Sequence, residues 1–468
     1  MQPKSLELKD DNGGTGICCR AVELWRGSRS HSAGTLDVKG SAMKFVLSFY
    51  GTRGDVEPGV AVGRELLRRG HEVRMVVPPD LVGFAEAAGL SAVACGPDVR
   101  VWQDVNRDFW ARFLRNFWKN FWRIRDLREL LREDWRFLVQ CWEDVSTTLR
   151  SQAADADLLF TGVLGEESAG NVAEYYSLPF ATLHVFPIRA NGQLVPGLPA
   201  RLGRSIMRLS EWLGWPMFKR LEDPQRRSLG LPKATGPSPW RIAERGSLEI
   251  QAYDEVCMPG LADEWAQYDG RRPFVGALTL DLPTDSDTEV ASWIEAGRPP
   301  ICFGFGSMPV ESAAETLTMI SAVCDQLGER ALVCAGGSDF SGVSLFGNVK
   351  VVAAMNYTAV FPACRAVVHH GGAGTTAASL RAGVPTLVLS TDLDQTLWGA
   401  RVKRLRVGTA RRFSATTEKT LLADLRTILD SQYATRAREV ATRMTGVAES
   451  PVTAADLLED FVRLKRAG

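Results

Sequence analysis

From Met43 onward the chain alternates short apolar runs with stretches of helical periodicity, and it does so in two successive blocks. Nothing else in the sequence restricts the fold as much. A strand that returns parallel to its neighbour needs a crossover, and repeated strand–helix units build a parallel sheet with helices on its faces. In the first block Lys44-Phe45-Val46-Leu47-Ser48-Phe49 reads as a strand, 56–69 as a helix ending at Gly70, and 71–77 as a second strand, with further strands at 157–160, 180–185 and 249–252. The second block predicts strands at 301–305, 331–335, 349–353, 366–368 and 386–389, with helices at 312–327 and 374–382. The expected fold class is therefore α/β, two doubly wound domains.

The 468 residues suit that size, and no repeat of solenoid length or G-X-Y period runs through the 43 Gly and 23 Pro. Lys plus Arg and Asp plus Glu both count 55, which removes the long-range field that draws a protein to nucleic acid. Nine cysteines form no CxxC pair, and several sit inside apolar runs, so a reduced, cytoplasmic protein is expected. No run of 18 apolar residues is present to cross a membrane. Residues 1–42 mix charges with Gly and Ser without periodicity and are expected to be a disordered extension or the product of an upstream start, with the folded protein beginning near Met43. The expected divisions are a first domain over 43–275, an interdomain linker over 276–297, a second domain over 298–445 and a helix over 446–468 that packs back towards the first domain. Residues 186–246 carry eight prolines and read as an irregular insertion around a ligand cleft.

The strongest local signal is His369-His370-Gly371-Gly372-Ala373-Gly374-Thr375-Thr376 between a strand and a helix. Glycines let backbone approach an anion closely, and the free amides that open a helix supply donors backed by a partial positive dipole. The same residues fit a relaxed G-x-G-x-x-A dinucleotide fingerprint over 372–377, with Asp392 twenty residues after Gly372, so an NAD-dependent oxidoreductase is one reading. Against it, the motif lies deep in the second block, and Thr375 and the paired histidines offer phosphate donors such a fingerprint does not need.

HHGGAGTT, followed by Arg381-Ala-Gly383-Val-Pro385 and Asp394-Gln395, resembles the donor-sugar signature of family 1 glycosyltransferases, which have the two-domain GT-B fold. Gly51-Thr-Arg-Gly-Asp55-Val-Glu-Pro58 resembles the start of bacterial antibiotic and sterol glycosyltransferases, and Gly304-Phe-Gly306-Ser307-Met308 their diphosphate loop. The resemblance implies two Rossmann-like domains facing a central cleft, the first binding acceptor and the second a nucleotide sugar. It makes Asp55 the general base and assigns donor contacts to Ser307, His370, the amides of Gly372, Ala373 and Gly374, and Thr375. It gives Asp394 and Gln395 the sugar hydroxyls and Met355-Asn356 the nucleobase, and turns His369 towards the core. Relatives often have Asp-Gln-Pro where this chain has Asp394-Gln395-Thr396, which puts the grip on the sugar in question. Asp is also a favoured helix cap, so Asp55 closing a helix that begins near Val56 is the plain alternative.

Asp392-Leu-Asp394 spells D-x-D, a cation-holding motif elsewhere, but Asp155-Ala-Asp157 and Asp285-Ser-Asp287 spell it too, and no His/Cys cluster has metal spacing, so no metal and no cofactor are expected. Phe109-Trp110, Phe113-Leu114, Phe117-Trp118 and Phe121-Trp122 recur every four residues, and nine Lys/Arg against five Asp/Glu lie between 107 and 136. Residues 109–124 therefore read either as a basic aromatic surface for lipid or a greasy acceptor, peripheral on the inner face of the plasma membrane, or as core packing. The segments 43–84 and 171–193 are similar to mycobacterial enzymes that glycosylate glycopeptidolipids. With single-step attack from the face opposite the nucleotide and no metal motif, the expected reaction is an inverting, metal-independent transfer of a hexose from a dTDP- or UDP-sugar to a hydroxyl of a lipopeptide or lipid. The narrower resemblance implies a 6-deoxyhexose such as rhamnose or 6-deoxytalose. A non-catalytic nucleotide-sugar sensor stands as the competing non-enzyme.

Overall fold

The computed structural model describes residues 42–99, 124–194, 197–268, 270–306, 312–336 and 347–467. It contains two six-stranded, wholly parallel sheets in separate α/β domains. The first is built from β1 (Lys44–Ser48), β2 (Glu72–Val77), β3 (Ser91–Ala94), β4 (Leu158–Gly162), β5 (Phe180–His184) and β6 (Leu248–Gln251), in the order 3-2-1-4-5-6. The second comprises β7 (Ile301–Gly304), β8 (Ala331–Cys334), β9 (Val349–Val352), β10 (Ala366–His369), β11 (Thr386–Ser390) and β12 (Gly408–Arg412), in the order 12-11-10-7-8-9. Counted from its own first strand, the second order is the same as the first. Each sheet therefore reverses its winding beside its first strand, between β1 and β4 and between β7 and β10, and such reversals open a ligand crevice at the carboxyl ends of the strands.

Strand β1 shows why these runs become central strands. Phe45 and Leu47 enter one buried cluster with Val60 and Leu66, while Val46 between them enters a second with Val145 and Leu149. Both faces of the strand are covered, so the sequence reads as a continuous apolar run rather than an alternation. Eight of the helices position the site: α1 (Arg53–Arg68), α2 (Ile124–Gln152), α3 (Glu166–Tyr175), α4 (Ala200–Ser228), α5 (Asp287–Glu295), α6 (Ala373–Arg381), α7 (Leu393–Leu405) and α8 (Glu449–Ala467).

Three expectations need correcting. The proline-rich stretch is not irregular: α4 runs 29 residues straight through Pro216 and Pro224. Each proline forfeits one main-chain hydrogen bond, but Leu221, Gln225 and Arg226 of the same helix are buried, and the Gln225 amide donates to Ser146 Oγ and to the Ser168 carbonyl at 3.0 Å. The stretch 276–297 holds helix α5, whose Asp287 accepts from Thr284 N–H at 2.7 Å. Helix α1 starts at Arg53, three residues before the expected turn.

Helix α8 brings the end of the chain back to the first domain. Its Ala454, Ala455, Leu458 and Val462 complete the cluster that holds Phe45 and Leu47. Arg69, just after α1, donates to Asp456 Oδ1 at 2.7 Å and Glu459 Oε1 at 2.9 Å. His71 Nδ1 accepts from Met43 N–H at 3.1 Å, which leaves its Nε2–H to donate to Glu459 Oε1 at 3.1 Å. Arg381 of α6 ties the same region to the second domain, donating to the Thr445 carbonyl at 2.8 Å, the Ala277 carbonyl at 2.6 Å and Thr279 Oγ1 at 3.0 Å.

Candidate active site

On the second sheet, β10 ends at His369 and α6 begins at Ala373, so His370, Gly371 and Gly372 form the turn at the point where the winding reverses. The main-chain N–H of Gly371 is taken by His369 Nδ1 at 2.9 Å, and that of Thr376 by the Gly372 carbonyl at 2.9 Å. The four amides between, of Gly372, Ala373, Gly374 and Thr375, have no acceptor among the described residues. Four consecutive free donors at a helix start are an anion cradle. The His370 ring lies between two glycines. A Cβ on Gly306 would stand 2.6 Å from its Cε1 and one on Gly372 would stand 2.5 Å from its Nε2, so neither position has room for a side chain. Its Nδ1 is buried, and its Nε2 is the ring atom turned to Gly372 and so to the cradle, where it could donate to a ligand oxygen. Burial holds His370 below the ordinary imidazole range. His369 is buried in the core, and burial, followed by the neighbouring His370, pushes it down to about 3.

Asp55 stands on the other domain, past the end of β1 on the first turn of α1. Its Oδ2 accepts from the Thr52 N–H at 2.8 Å and from Thr52 Oγ1 at 2.9 Å, as a third-position acid does in a capping box. Oδ1 has no partner among the described residues. The close fold of the loop requires Gly51, which has φ +123° and whose Cβ would lie 2.5 Å from Asp55 Oδ2. Burial, together with the smaller effect of the Asp394 charge, raises the Asp55 carboxyl to about 6 against the two Thr52 hydrogen bonds. Asp394 belongs to α7 of the second domain, so the two carboxyls feel each other across the cleft. Capping thus occupies one oxygen of the side chain and leaves the other without a protein partner among the described residues.

Gly51 also borders a cavity of about 400 Å³ in the first domain, lined mostly by apolar groups including Trp142, Trp215 and Phe218. Two adjacent carboxyls open into it from the start of α3. Burial alone would raise Glu166, but the Arg189 guanidinium and His184, which lies 3.0 Å away, overcome it and hold the group at about 2. Burial and the charge of Glu166 push Glu167 up to about 7, although Ser238 Oγ donates to it at 3.0 Å. The cavity therefore offers one acid that is half-neutral at neutral pH, able to donate or accept a hydrogen bond. These residues were not singled out from the sequence. The signal available was Glu166-Glu167 directly after strand β4, the place where open parallel sheets put ligand contacts.

His370 and the amides 372–375 share one turn and helix start, and the Asp394 charge reaches Asp55, while the side chains of two other donor-side candidates are engaged by protein groups. Gln395 is turned inward: its Oε1 accepts from Thr391 N–H at 2.9 Å and its Nε2 donates to Asp392 Oδ2 at 3.1 Å, closing the start of α7. The Asn356 N–H is taken by Asp287 Oδ1 at 2.9 Å and its side-chain amide donates to Asp281 Oδ1 at 2.6 Å, while Met355 is buried. Ser307 and residues 109–123 lie outside the described residues, as do residues 1–41. Among the described residues no three His, Cys, Asp or Glu side chains converge on a metal-sized site, and no helix is long and apolar enough to cross a membrane.

Comparison with known proteins places this geometry. Residues 45–140 match the glycosyltransferase family 28 N-terminal domain, and 331–461 match the erythromycin biosynthesis protein CIII-like C-terminal domain. An uncharacterized glycosyltransferase of Mycobacterium tuberculosis is 55% identical over 426 residues, 91% of this chain and 100% of the relative. The chain belongs to the GT-B glycosyltransferases. A sterol 3-beta-glucosyltransferase of Arabidopsis thaliana is 28% identical over 381 residues, covering 79% of this glycosyltransferase and 60% of the plant protein. Among solved structures, the glycotransferase of kitacinnamycin has a TM-score of 0.67 at 17% identity, covering 90% of this chain and 99% of the other. Glycosyltransferase VinC, in complex with dTDP, has a TM-score of 0.59 at 16% identity, covering 91% and 100%. These likenesses carry the fold. The oxidoreductase reading of 372–377 falls with the family assignment, and the topology gives the reason: the glycines follow β10, fourth in its domain, whereas a dinucleotide fingerprint follows the first strand.

Proposed function

We propose that this glycosyltransferase moves a hexose from a dTDP- or UDP-sugar to a hydroxyl of a hydrophobic acceptor, by a single inverting displacement that uses no metal. The observation that carries the reading is the position of Asp55, with one carboxylate oxygen free, across the cleft from the donor cradle and beside the apolar cavity. In this mechanism the acceptor hydroxyl lies in the cavity mouth and gives its proton to Asp55 Oδ1 as its oxygen attacks the anomeric carbon. The bond to the diphosphate breaks on the opposite face, and its electron pair goes to the departing phosphate oxygen. The amides of 372–375 and the His370 ring meet that charge with fixed donors in place of water. Asp55 then returns its proton to solvent. In this reading Asp394, whose charge reaches Asp55, hydrogen-bonds sugar hydroxyls. A lipopeptide or lipid acceptor, as in glycopeptidolipid assembly, and a 6-deoxyhexose such as rhamnose or 6-deoxytalose are supported by the narrower sequence resemblance and by the apolar lining of the cavity.

The test has two parts. Thermal shift with dTDP, UDP and NAD should show strong stabilisation by one pyrimidine diphosphate and none by NAD, since a ligand that binds only the folded state raises its stability. Turnover with the matching sugar nucleotide, with the product's anomeric configuration read by NMR, should give the inverted glycoside, and EDTA should leave the rate unchanged. A retained configuration would overturn the single displacement, binding without turnover would leave a sensor, and a requirement for Mg²⁺ would revive Asp392 and Asp394 as cation ligands.

A further inference from the structure

Helix α4 carries two apolar faces, and only one is used inside the protein. Ser210, Gly214, Phe218 and Leu221 face the acceptor cavity. On another side of the same helix Leu202, Ile206, Leu209, Leu213 and Met217 recur at spacings of four, three, four and four, which keeps them in one stripe roughly 22 Å long. The stripe stands open to solvent: Leu209 is 52% exposed, Leu213 62%, and Trp212 at its edge 52%. Exposed Arg201 and Arg208 lie along one flank and exposed Arg220 at the end, and none of the three makes a side-chain hydrogen bond or ion pair among the described residues. The other cations of this stretch are engaged, Arg204 by Glu264 at 2.7 Å and Lys219 by Asp223 at 3.3 Å. Its one acid before residue 221, Glu211, accepts from Trp240 Nε1 at 2.7 Å.

We propose that this outer face of α4 seats the enzyme on an anionic lipid bilayer. The charge pattern decides between occupants. A second copy meeting the stripe would bring the same free arginines with it and no free acid to match them, whereas anionic headgroups surround an apolar interior with the opposite charge. A helix with an apolar stripe and basic flanks lies in the plane of such a surface. Because the cavity opens off the adjoining face of the same helix, seating α4 in the headgroup layer puts its mouth within reach of an acceptor whose lipid tail never leaves the membrane. The inference rests on the hydrophobic acceptor proposed above and names the phase that presents it.

The experiment is co-sedimentation of the full chain, without donor or acceptor, with vesicles of phosphatidylcholine alone or mixed with phosphatidylglycerol. The wild-type protein should partition at least about tenfold more strongly onto the mixed vesicles. The pair Leu209→Gln and Leu213→Gln should lose most binding to both, and Arg201→Gln, Arg208→Gln and Arg220→Gln together should abolish the preference for the mixed vesicles. Melting temperature and the dTDP-induced shift should stay at wild-type values in both variants. Undiminished sedimentation of the leucine variant would overturn the proposal. So would a lowered melting temperature, which would mean the chain itself covers the stripe, or a wild-type dimer that the variant dissolves. Since the vesicles contain no substrate, failure here leaves the donor and base assignments to their own tests.

Discussion

At the scale of single residues the site is an arrangement of shifted carboxyls, and its pH behaviour follows from them. Asp55 must be ionised to accept a proton, so kcat/KM should fall as the pH drops through about 6. Asp55→Asn should keep nucleotide affinity and lose roughly 10²- to 10⁴-fold in kcat, because the carboxylate acts only as the bond forms; near-normal turnover would remove it from the base role. Thr52→Val deletes one hydrogen bond that favours the charged form, so the acidic limb should move to higher pH while binding of dTDP or UDP stays unchanged. Glu167 supplies the opposite limb. Above about pH 7 it becomes a buried anion, and the acceptor KM should rise; Glu167→Gln should flatten that rise, and Glu167→Leu should raise KM at every pH. On the donor side Gly306→Ala meets both a φ of +62° and the His370 ring, so it should weaken nucleoside diphosphate binding more than nucleoside binding. Equal losses of the two ligands would make the glycine purely structural.

At the scale of elements, the sequence was legible wherever one element had one job. Strands β1, β4, β5, β7, β10 and β11 are covered on both faces, so their apolar runs announce them. Strands β3 and β12 are not predicted from the sequence: Ser91–Ala94 is four residues, two of them alanine, and Gly408–Arg412 carries two arginines, and both are partly exposed, so neither presents a long apolar run. The cradle could be read from local spacing, since a strand, three turn residues and a helix start contain all of it. The apolar cavity of the first domain could not, because it joins Gly51, α2, α3 and α4 across more than 150 residues of chain. Helix α4 is hidden in the sequence because it has two prolines and two apolar faces, which blurs a single period. Gln395 illustrates a subtler limit: its motif points to sugar, but Asp392 three residues earlier also makes it half of a capping box, a local role the motif does not announce.

At the scale of the whole molecule the second domain is tied to the first by Arg381 and by α8. Glu459 is the hub of the α8 contact, held below the ordinary glutamate range by Arg69, His71 and Arg463 against the opposing effect of burial. A depressed carboxyl contributes stability that is present above the unfolded range and lost as the pH falls through its folded value. Glu459→Gln should therefore lower the melting temperature at pH 7, and the gap from wild type should narrow below the ordinary glutamate range; a gap constant with pH would mean that shape, not charge, holds the helix. The return of α8 also has a consequence in time. Ribosomes deliver the first sheet early, yet Ala454, Ala455, Leu458 and Val462, which close its apolar face, come last. At roughly 5 to 20 residues per second, the roughly 180 residues from Leu278 to α8 take roughly 10 to 35 s to appear. Throughout that interval the newborn first domain shows the cell a bare greasy flank, so chaperone demand during synthesis and sensitivity to late stop codons should both exceed what the finished enzyme would suggest.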